Sequence, residues 1–372
     1  MPHNSIPIFI SAGDPSGDIA GSHLLEKLKL KSEHISFLGL GGRRMKDAGQ
    51  AQIVEGSKLA VLGFWEVARK YFFFRKLLEQ SVKLIREKKP KVIVLIDYPG
   101  FNLRLAERVK PLGIPIVYYI SPQIWAWGAK RIKQIKRLVD LMLLILPFEK
   151  KIYDDAGIKS SLVGHYLLDD IDSRLVKVPY NPESDLIVLM PGSRPQEVQR
   201  MLPILLDSAN ILSCSGHWRF AVAAVEGDID YASIMADRPA EVELVQGKTR
   251  ELIAESRLVL TSSGTATLET GIIGRPMVVI YKTSLLTYLI ARRLVTLDMI
   301  ALVNVTAGRK VVPELIQHDA TPEKIARAAG DFLENDSLSL GVVSELNGVA
   351  NGLGGPGGSE RAANAIREFI SC

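Results

Sequence analysis

A chain of 372 residues is long for a single hydrophobic core, so two domains are the expected organisation. Hydrophobic residues at 47% and charged residues at 23% exclude wholesale disorder, and a net charge of +5 favours anionic partners: phosphates, nucleic acid or an acidic membrane surface. Two cysteines and six scattered histidines, without CxxC or HxxxH spacing, argue against a disulfide framework and a zinc site and for a reducing cytoplasm.

The opening residues MPHNSIPIFISAGD lack the basic region and cleavage site of a signal peptide and run straight into a strand. Apolar runs at Ile6–Ser11, Ile35–Leu40, Val92–Ile96, 115–120 and 140–146 alternate with helical patterns such as 19–30 and a helix start at 43–48. That βαβα rhythm predicts a parallel sheet with helices on both faces. VPYNPESD (178–185) breaks the rhythm with prolines, an asparagine and charges, and reads as an interdomain linker. The rhythm restarts at Leu186–Met190, 218–223, 242–245, 258–261 and Met277–Tyr281. The expected fold class is therefore α/β, two doubly wound domains in series over 1–178 and 179–346. NGVANGLGGPGGS (347–359) reads as a Gly-rich flexible tether. Residues 360–370 read as a final helix that completes the first domain or packs on another subunit, which leaves a homodimer open. The longest apolar run, 141–148, falls far short of the ~20 residues that span a bilayer.

Five strand-ending loops carry useful chemistry. In AGDPSGD (12–18), glycines permit close backbone approach, while Ser16 and the carboxylates of Asp14 and Asp18 suit helix capping or contacts to substrate hydroxyls. The stretch is not GxGxxG, so it supports a nicotinamide cofactor only weakly. In VIVLIDYPGFN (92–102), Asp97 ends a fully apolar strand. A carboxylate there faces the ligand crevice of an α/β sheet, and partial desolvation raises its pKa towards that of a general base. The plainer alternative is a cap on a helix beginning near Asn102. SPQIWAWGAKRIKQIKR (121–137) pairs two tryptophans with five cations, Lys130, Arg131, Lys133, Lys136 and Arg137, and suits base stacking, a membrane interface or an ordinary solvated helix face.

LIVLMPGSRPQEV (186–198) is the sharpest signal. A buried strand ends in a turn that presents the backbone of Gly192 and Ser193 and the Arg194 guanidinium at a helix start, where dipole and unpaired N–H groups favour phosphate. TSSGTATLET (261–270) repeats the device with Ser263, Gly264 and Thr265, and Glu269 follows at a distance suited to a ribose diol. Together the two loops favour a nucleotide diphosphate. Finally, LGFWEVARKYFFFRKLL (62–78) sets Phe64, Trp65, Phe72, Phe73 and Phe74 among Arg69, Lys70, Arg75 and Lys76. Three consecutive phenylalanines cannot share one helix face, so the segment suits an interfacial helix or acyl groove as well as a core helix with a basic rim. The apolar-basic stretch 285–295, with Arg292 and Arg293, has the same two readings.

These motifs resemble one family, lipid-A-disaccharide synthase. The resemblance runs in order through AGDPSGD (12–18), GGRRM (41–45), VLGFWEV (61–67), IDYPGFN (96–102), SPQIWAWGAKR (121–131), LPFEKKIY (146–153), VGH (163–165), PGSRPQEV (191–198), SGTATLE (263–269) and NVTAGRKVVPELIQ (304–317). Asp14 stands where the family usually has glutamate, Arg43 where it has proline, and Gly128 where arginine is frequent. The resemblance implies a GT-B fold with the active site in the interdomain cleft and an inverting transferase of the inner membrane's cytoplasmic face that needs no cofactor or metal. It further implies UDP-2,3-diacylglucosamine as donor, 2,3-diacylglucosamine 1-phosphate as acceptor, and no nucleic acid beyond UDP.

Asp97 is then the expected base, and Arg194 with Gly192 and Ser193 the expected leaving-group contacts. Ser263, Gly264, Thr265 and Glu269 would hold ribose and phosphate, and Asn304, Glu314 and Gln317 are further donor-site candidates. Asp14, Ser16, Asp18 and Asn102 fall on the acceptor side, and the Phe72–Phe74 region with its cations on the acyl and membrane side. Another UDP-sugar transferase or epimerase of the same fold, or a non-catalytic nucleotide-sugar-binding protein, is the alternative; an RNA-binding reading rests only on charge and WAWGAKR.

Overall fold

The computed structural model describes residues 5–30, 34–53, 67–127, 130–225, 229–236, 241–283 and 299–370. The chain forms two compact units, one of residues 1–170 with 353–372 and one of residues 171–352.

The first unit holds a seven-stranded sheet of β1 (Ile6–Ser11), β2 (Ile35–Leu40), β3 (Gln50–Gln52), β4 (Val92–Ile96), β5 (Ile116–Tyr119), β6 (Leu141–Leu144) and β7 (Ser160–Leu162), in the order β3-β2-β1-β4-β5-β6-β7. Every neighbouring pair is parallel. All five residues of β4, VIVLI, are buried, as a strand covered on both faces requires. The edge strands β3 (QAQ) and β7 (SSL) have no apolar run to announce them. Covering helices include α1 (Pro15–Lys29), α2 (Arg43–Asp47), α3 (Val67–Lys88), α4 (Pro99–Val109), α5 (Ile124–Trp127), α6 (Lys130–Leu138) and α7 (Glu149–Asp155). Strand order reverses between β1 and β4. Their carboxyl ends are thus a topological switch point, the position at which open α/β sheets bind ligands.

The second unit repeats the plan with β8 (Leu186–Met190), β9 (Arg219–Ala224), β10 (Val242–Gln246), β11 (Leu258–Ser262), β12 (Met277–Tyr281) and β13 (Glu314–Ile316), in the order β10-β9-β8-β11-β12-β13 and again all parallel. Its helices include α8 (Pro195–Ser213), α9 (Thr265–Ile273), α10 (Leu302–Ala307) and α11 (Asp336–Gly352). The switch point lies between β8 and β11.

Two readings of organisation change. The stretch 178–185 is not the boundary: the units divide after Asp170, and the buried Arg275 guanidinium binds Val178 and Pro179 carbonyls within the second unit, at 3.0 and 3.4 Å. Nor is 347–359 a flexible tether. Its first six residues complete α11, held by fully buried Leu346, and a short turn follows with Gly354, Gly355 and Gly357 at φ 92°, 72° and 92°. Glycine content there reflects the left-handed turn that stops a helix. The last helix, α12 (Gly358–Arg367), packs on α1 in the first unit. Asp169 accepts from the Gly357 and Ser359 N–H groups at its start, and the Arg361 guanidinium donates to the Val163 carbonyl.

The phenylalanine run on α3 divides as its spacing requires. Phe72 is 67% exposed, whereas Phe73 and Phe74 pack against the core, with Phe74 6.4 Å from Tyr98 and 6.5 Å from Phe101. Arg75 and Lys76 are exposed, Arg75 paired with Glu79 at 3.2 Å. Phe64, Trp65, the Arg69 and Lys70 side chains and the stretch 285–295 lie outside the described residues. No described helix is long and apolar enough to cross a membrane.

Candidate active site

Four of the loops singled out in the sequence, those after β1, β4, β8 and β11, fall at the switch points. In the first unit the β1 loop meets the β4 loop directly: a Cβ added to Gly13 would lie 2.2 Å from the Tyr98 ring, so only glycine fits. Asp97 and Tyr98 both have positive φ, 42° and 49°, a strained pair for residues other than glycine. Side chains hold that strain in place. Asn102 is fully buried, its Nδ2 donates to the carbonyls of Asp97 (2.8 Å), Ile96 (3.1 Å) and Ser11 (3.3 Å), and its Oδ1 accepts from the Ser11 hydroxyl at 2.7 Å. The Tyr118 hydroxyl donates to the Asp97 carbonyl at 2.6 Å. Asn102 therefore anchors the turn instead of contacting an acceptor, and α4 begins at Pro99, with Tyr98 at its cap position.

Asp97 is chemically tuned. Burial, then the negative charge of Asp14, pushes its carboxyl up to about 7, against a smaller opposing hydrogen bond from the Tyr98 N–H. A carboxylate titrating there is matched to proton abstraction near neutral pH. Asp14 also caps α1, accepting from Gly17 N (2.7 Å) and the Ser16 hydroxyl (3.2 Å). Asp14→Asn, which keeps a capping oxygen but removes the charge, is expected to move the acid limb of kcat/KM to lower pH. An unmoved limb would remove Asp14 from the electrostatics of the site. Asp18 has a different task. It accepts from Gly42 N (2.8 Å), Arg44 N (3.0 Å) and Met45 N (3.0 Å), so it holds the start of α2 and does not assist Asp97.

In the second unit Gly192 has φ 119°, and a Cβ on it would lie 2.8 Å from Glu197 and 3.2 Å from the Ser262 hydroxyl, which brings the β8 and β11 loops together. The Ser193 and Arg194 N–H groups open α8, and the Glu197 carboxylate accepts from them at 3.2 and 3.3 Å. The largely exposed Arg194 guanidinium pairs with Glu197 at 3.2 Å. Tyr281, at the end of β12, belongs to the same cluster. Burial first and Glu197 second push its hydroxyl up, against the fields of Arg194 and Arg200. The anion-seeking donors are thus present, with a carboxylate of the chain resting on them.

The β11 loop is partly committed. The Ser263 hydroxyl donates to the Ile300 carbonyl (2.9 Å) and its N–H to Ile280 (3.1 Å), so both its donors serve the fold, not phosphate. Gly264, with φ 151° and open space where a Cβ would stand, and Thr265, which opens α9, keep the anion-binding geometry. Glu269 is bound by Arg250 Nε at 2.6 Å. Asn304, Glu314 and Gln317 shape the site from behind. Buried Asn304 accepts from Val311 N (2.8 Å) and Val312 N (3.0 Å) and donates to Glu314 (2.8 Å), while Glu314 caps α10 through Ile300 N (2.8 Å) and Ala301 N (3.0 Å). Gln317, at φ 54°, clasps the Thr283 N–H (2.7 Å) and carbonyl (3.1 Å). In this structure Asn304, Glu314 and Gln317 thus hold backbone groups and, for the first two, each other.

Sequence reasoning missed Glu197, Tyr281 and Glu149. Glu149 opens α7 directly after the apolar run 141–148, so a carboxylate following an apolar run was the available signal. It is buried and pushed up to about 8. Among the described residues no group of three or more His, Cys, Asp or Glu side chains is placed to hold a metal ion.

Two doubly wound parallel units with paired loops at each switch point define the GT-B class. The chain is similar to UDP-GlcNAc 2-epimerase from Neisseria meningitidis bound to UDP-GlcNAc (TM-score 0.65, 11% identity, 98% of this chain and 99% of that one). It is also similar to MurG from Acinetobacter baumannii (TM-score 0.60, 14% identity, 98% and 99%). In sequence it is similar to lipid-A-disaccharide synthases of Syntrophus aciditrophicus (40% identical, 97% of each chain) and Anaeromyxobacter dehalogenans strain 2CP-C (38%, 96% of each). The family model described as lipid-A-disaccharide synthetase matches residues 8–342. The chain belongs to the lipid-A-disaccharide synthase family, glycosyltransferases of lipid A biosynthesis.

Proposed function

We propose that the protein transfers the sugar of UDP-2,3-diacylglucosamine to 2,3-diacylglucosamine 1-phosphate, forming a β-1,6 bond with inversion and releasing UDP. The observation that carries this reading is that the chain holds a tuned carboxylate, Asp97, at the switch point of one unit and a helix-start anion cradle, Gly192–Arg194, at that of the other. Asp97 takes the proton of the acceptor 6-hydroxyl as that oxygen attacks C1. The bond from C1 to the diphosphate oxygen breaks, and its electron pair leaves with UDP. Arg194, the Ser193 and Arg194 N–H groups and the Gly264–Thr265 helix start receive the growing negative charge, work that a divalent ion does elsewhere. For the diphosphate to reach these donors, Glu197 swings aside. The exposed Phe72, with Arg75 and Lys76 beside it, suits acyl chains and anionic headgroups at the cytoplasmic face of the inner membrane.

Purified protein given both acylated substrates should release UDP and yield a disaccharide 1-phosphate, with turnover unchanged by a chelator. Turnover of an unacylated sugar acceptor without turnover of the acylated one would overturn the lipid reading in favour of another UDP-sugar enzyme.

A further inference from the structure

The first residue of α7, five residues past β6, is a second buried carboxyl on which Asp97 acts. Glu149 is only 2% exposed, and no cation is among the groups acting on it. Its carboxyl faces the Leu146 N–H (3.4 Å), the Ser121 hydroxyl and the Trp125 indole N–H. Ser121, at the end of β5, is in turn tied to the Tyr153 hydroxyl at 2.7 Å and to the Pro122 carbonyl at 2.9 Å. The Trp125 ring packs edge-on against Phe148, 5.7 Å between centroids, and its buried Nε1–H finds no partner in full hydrogen-bond geometry. The charged and titratable groups coupled to it are Asp97, just past β4, and Tyr153 of α7; Tyr118 of β5 in turn interacts with Asp97, Tyr153, Arg131 and Asp14. Lys150 and Lys151 of the same helix pair with Asp154 and Asp155 instead.

A buried carboxyl without a cation is stable only when protonated. Resting on the reading of Asp97 as base, we propose that Glu149 is a positioning residue of the transferase site: an uncharged carboxyl that anchors Ser121 and Trp125 beside Asp97 without adding a second buried anion. Burial, reinforced by Asp97, pushes Glu149 up to about 8, while Asp97 titrates at about 7. Slightly above neutral pH the two divide their roles, Asp97 ionised and Glu149 protonated. At higher pH Glu149 ionises, which sets two carboxylates against each other and repels the anionic substrates.

The test is the pH dependence of kcat/KM for wild type, Glu149→Gln and Glu149→Ala, each checked by thermal melting. Wild type should descend on the alkaline side with a midpoint near 8. Glu149→Ala should lose ~10- to 100-fold in kcat. Glu149→Gln, which mimics the neutral carboxyl, should recover most of that loss and stay flat through the alkaline range. An unchanged descent in Glu149→Gln, or a glutamine variant no better than alanine while melting like wild type, overturns the proposal. A pH titration of tryptophan fluorescence needs no turnover and separates this proposal from the assignment of the reaction. Wild type should show a transition near 8 that Glu149→Gln lacks, and a transition common to both overturns the role of Glu149 even where transferase activity stands.

Discussion

Asp97→Asn is expected to lose about 10²- to 10⁴-fold in kcat while binding UDP as wild type does. The substitution keeps the size and shape of the side chain, and the Asn102 and Tyr118 bonds that fix the turn go to the Asp97 backbone carbonyl, which survives. What disappears is the carboxylate whose raised pKa suits it to take a proton at the β1–β4 switch point. The same variant should be more stable than wild type at pH 8. Asp97 titrates at about 7 in the folded protein and near 3.8 when unfolded, so between those values the folded chain holds the extra proton. Stability contributed by this group therefore falls as pH rises through that window, and the full cost is present above it. Removing the charge should restore on the order of 2 kcal/mol, from ~1.4 kcal/mol per tenfold change in proton affinity discounted for the partial exposure of Asp97. Melting curves at pH 4 and pH 8 check this: the variant should gain only at the higher pH. Near-wild-type turnover would remove Asp97 as the base, and equal melting at pH 8 would contradict its desolvation.

The two sites were readable in the sequence to the extent that they depend on local pattern. Five consecutive apolar residues ending at Asp97, and five ending at Pro191-Gly192, announce buried parallel strands and place the following loop at their carboxyl ends. Strand order then brings the right loops together, β1 beside β4 and β8 beside β11. The short strands β3, β7 and β13 escaped because a three-residue edge needs no apolar run. Roles set by tertiary hydrogen bonds were harder to see. Asp18, Asn102, Asn304, Glu314 and Gln317 stand in the right motifs, yet each spends polar atoms on backbone groups between 5 and 91 residues away. A motif states that a polar side chain is needed; only the folded chain states whether it faces a ligand or the turn behind it. Glu149 and Glu197 are the reverse case, carboxyls within matched motifs whose significance appears only from burial in one and from the donors it covers in the other.

Arg194→Ala should cost about 10²- to 10³-fold in kcat and weaken UDP binding at the same time. The guanidinium sits at the start of α8, so in the proposed reaction its charge, the helix dipole and the Ser193 and Arg194 N–H groups would act together on the leaving diphosphate. Its contribution grows as the bond to C1 breaks, which is why kcat falls along with affinity. Stability is the control. The Arg194 side chain is 70% exposed and its pairing with Glu197 spans one helical turn, an interaction typically worth under ~1 kcal/mol, so the melting temperature should hardly move. Arg194→Lys should recover only part of the loss, because a point charge cannot reproduce the two-pronged grip of a guanidinium on phosphate. Turnover, UDP calorimetry and a melting curve on both variants check the set. Wild-type kcat in Arg194→Ala would sink the leaving-group role, whereas a fall in affinity with kcat intact would reduce Arg194 to ground-state binding of the donor.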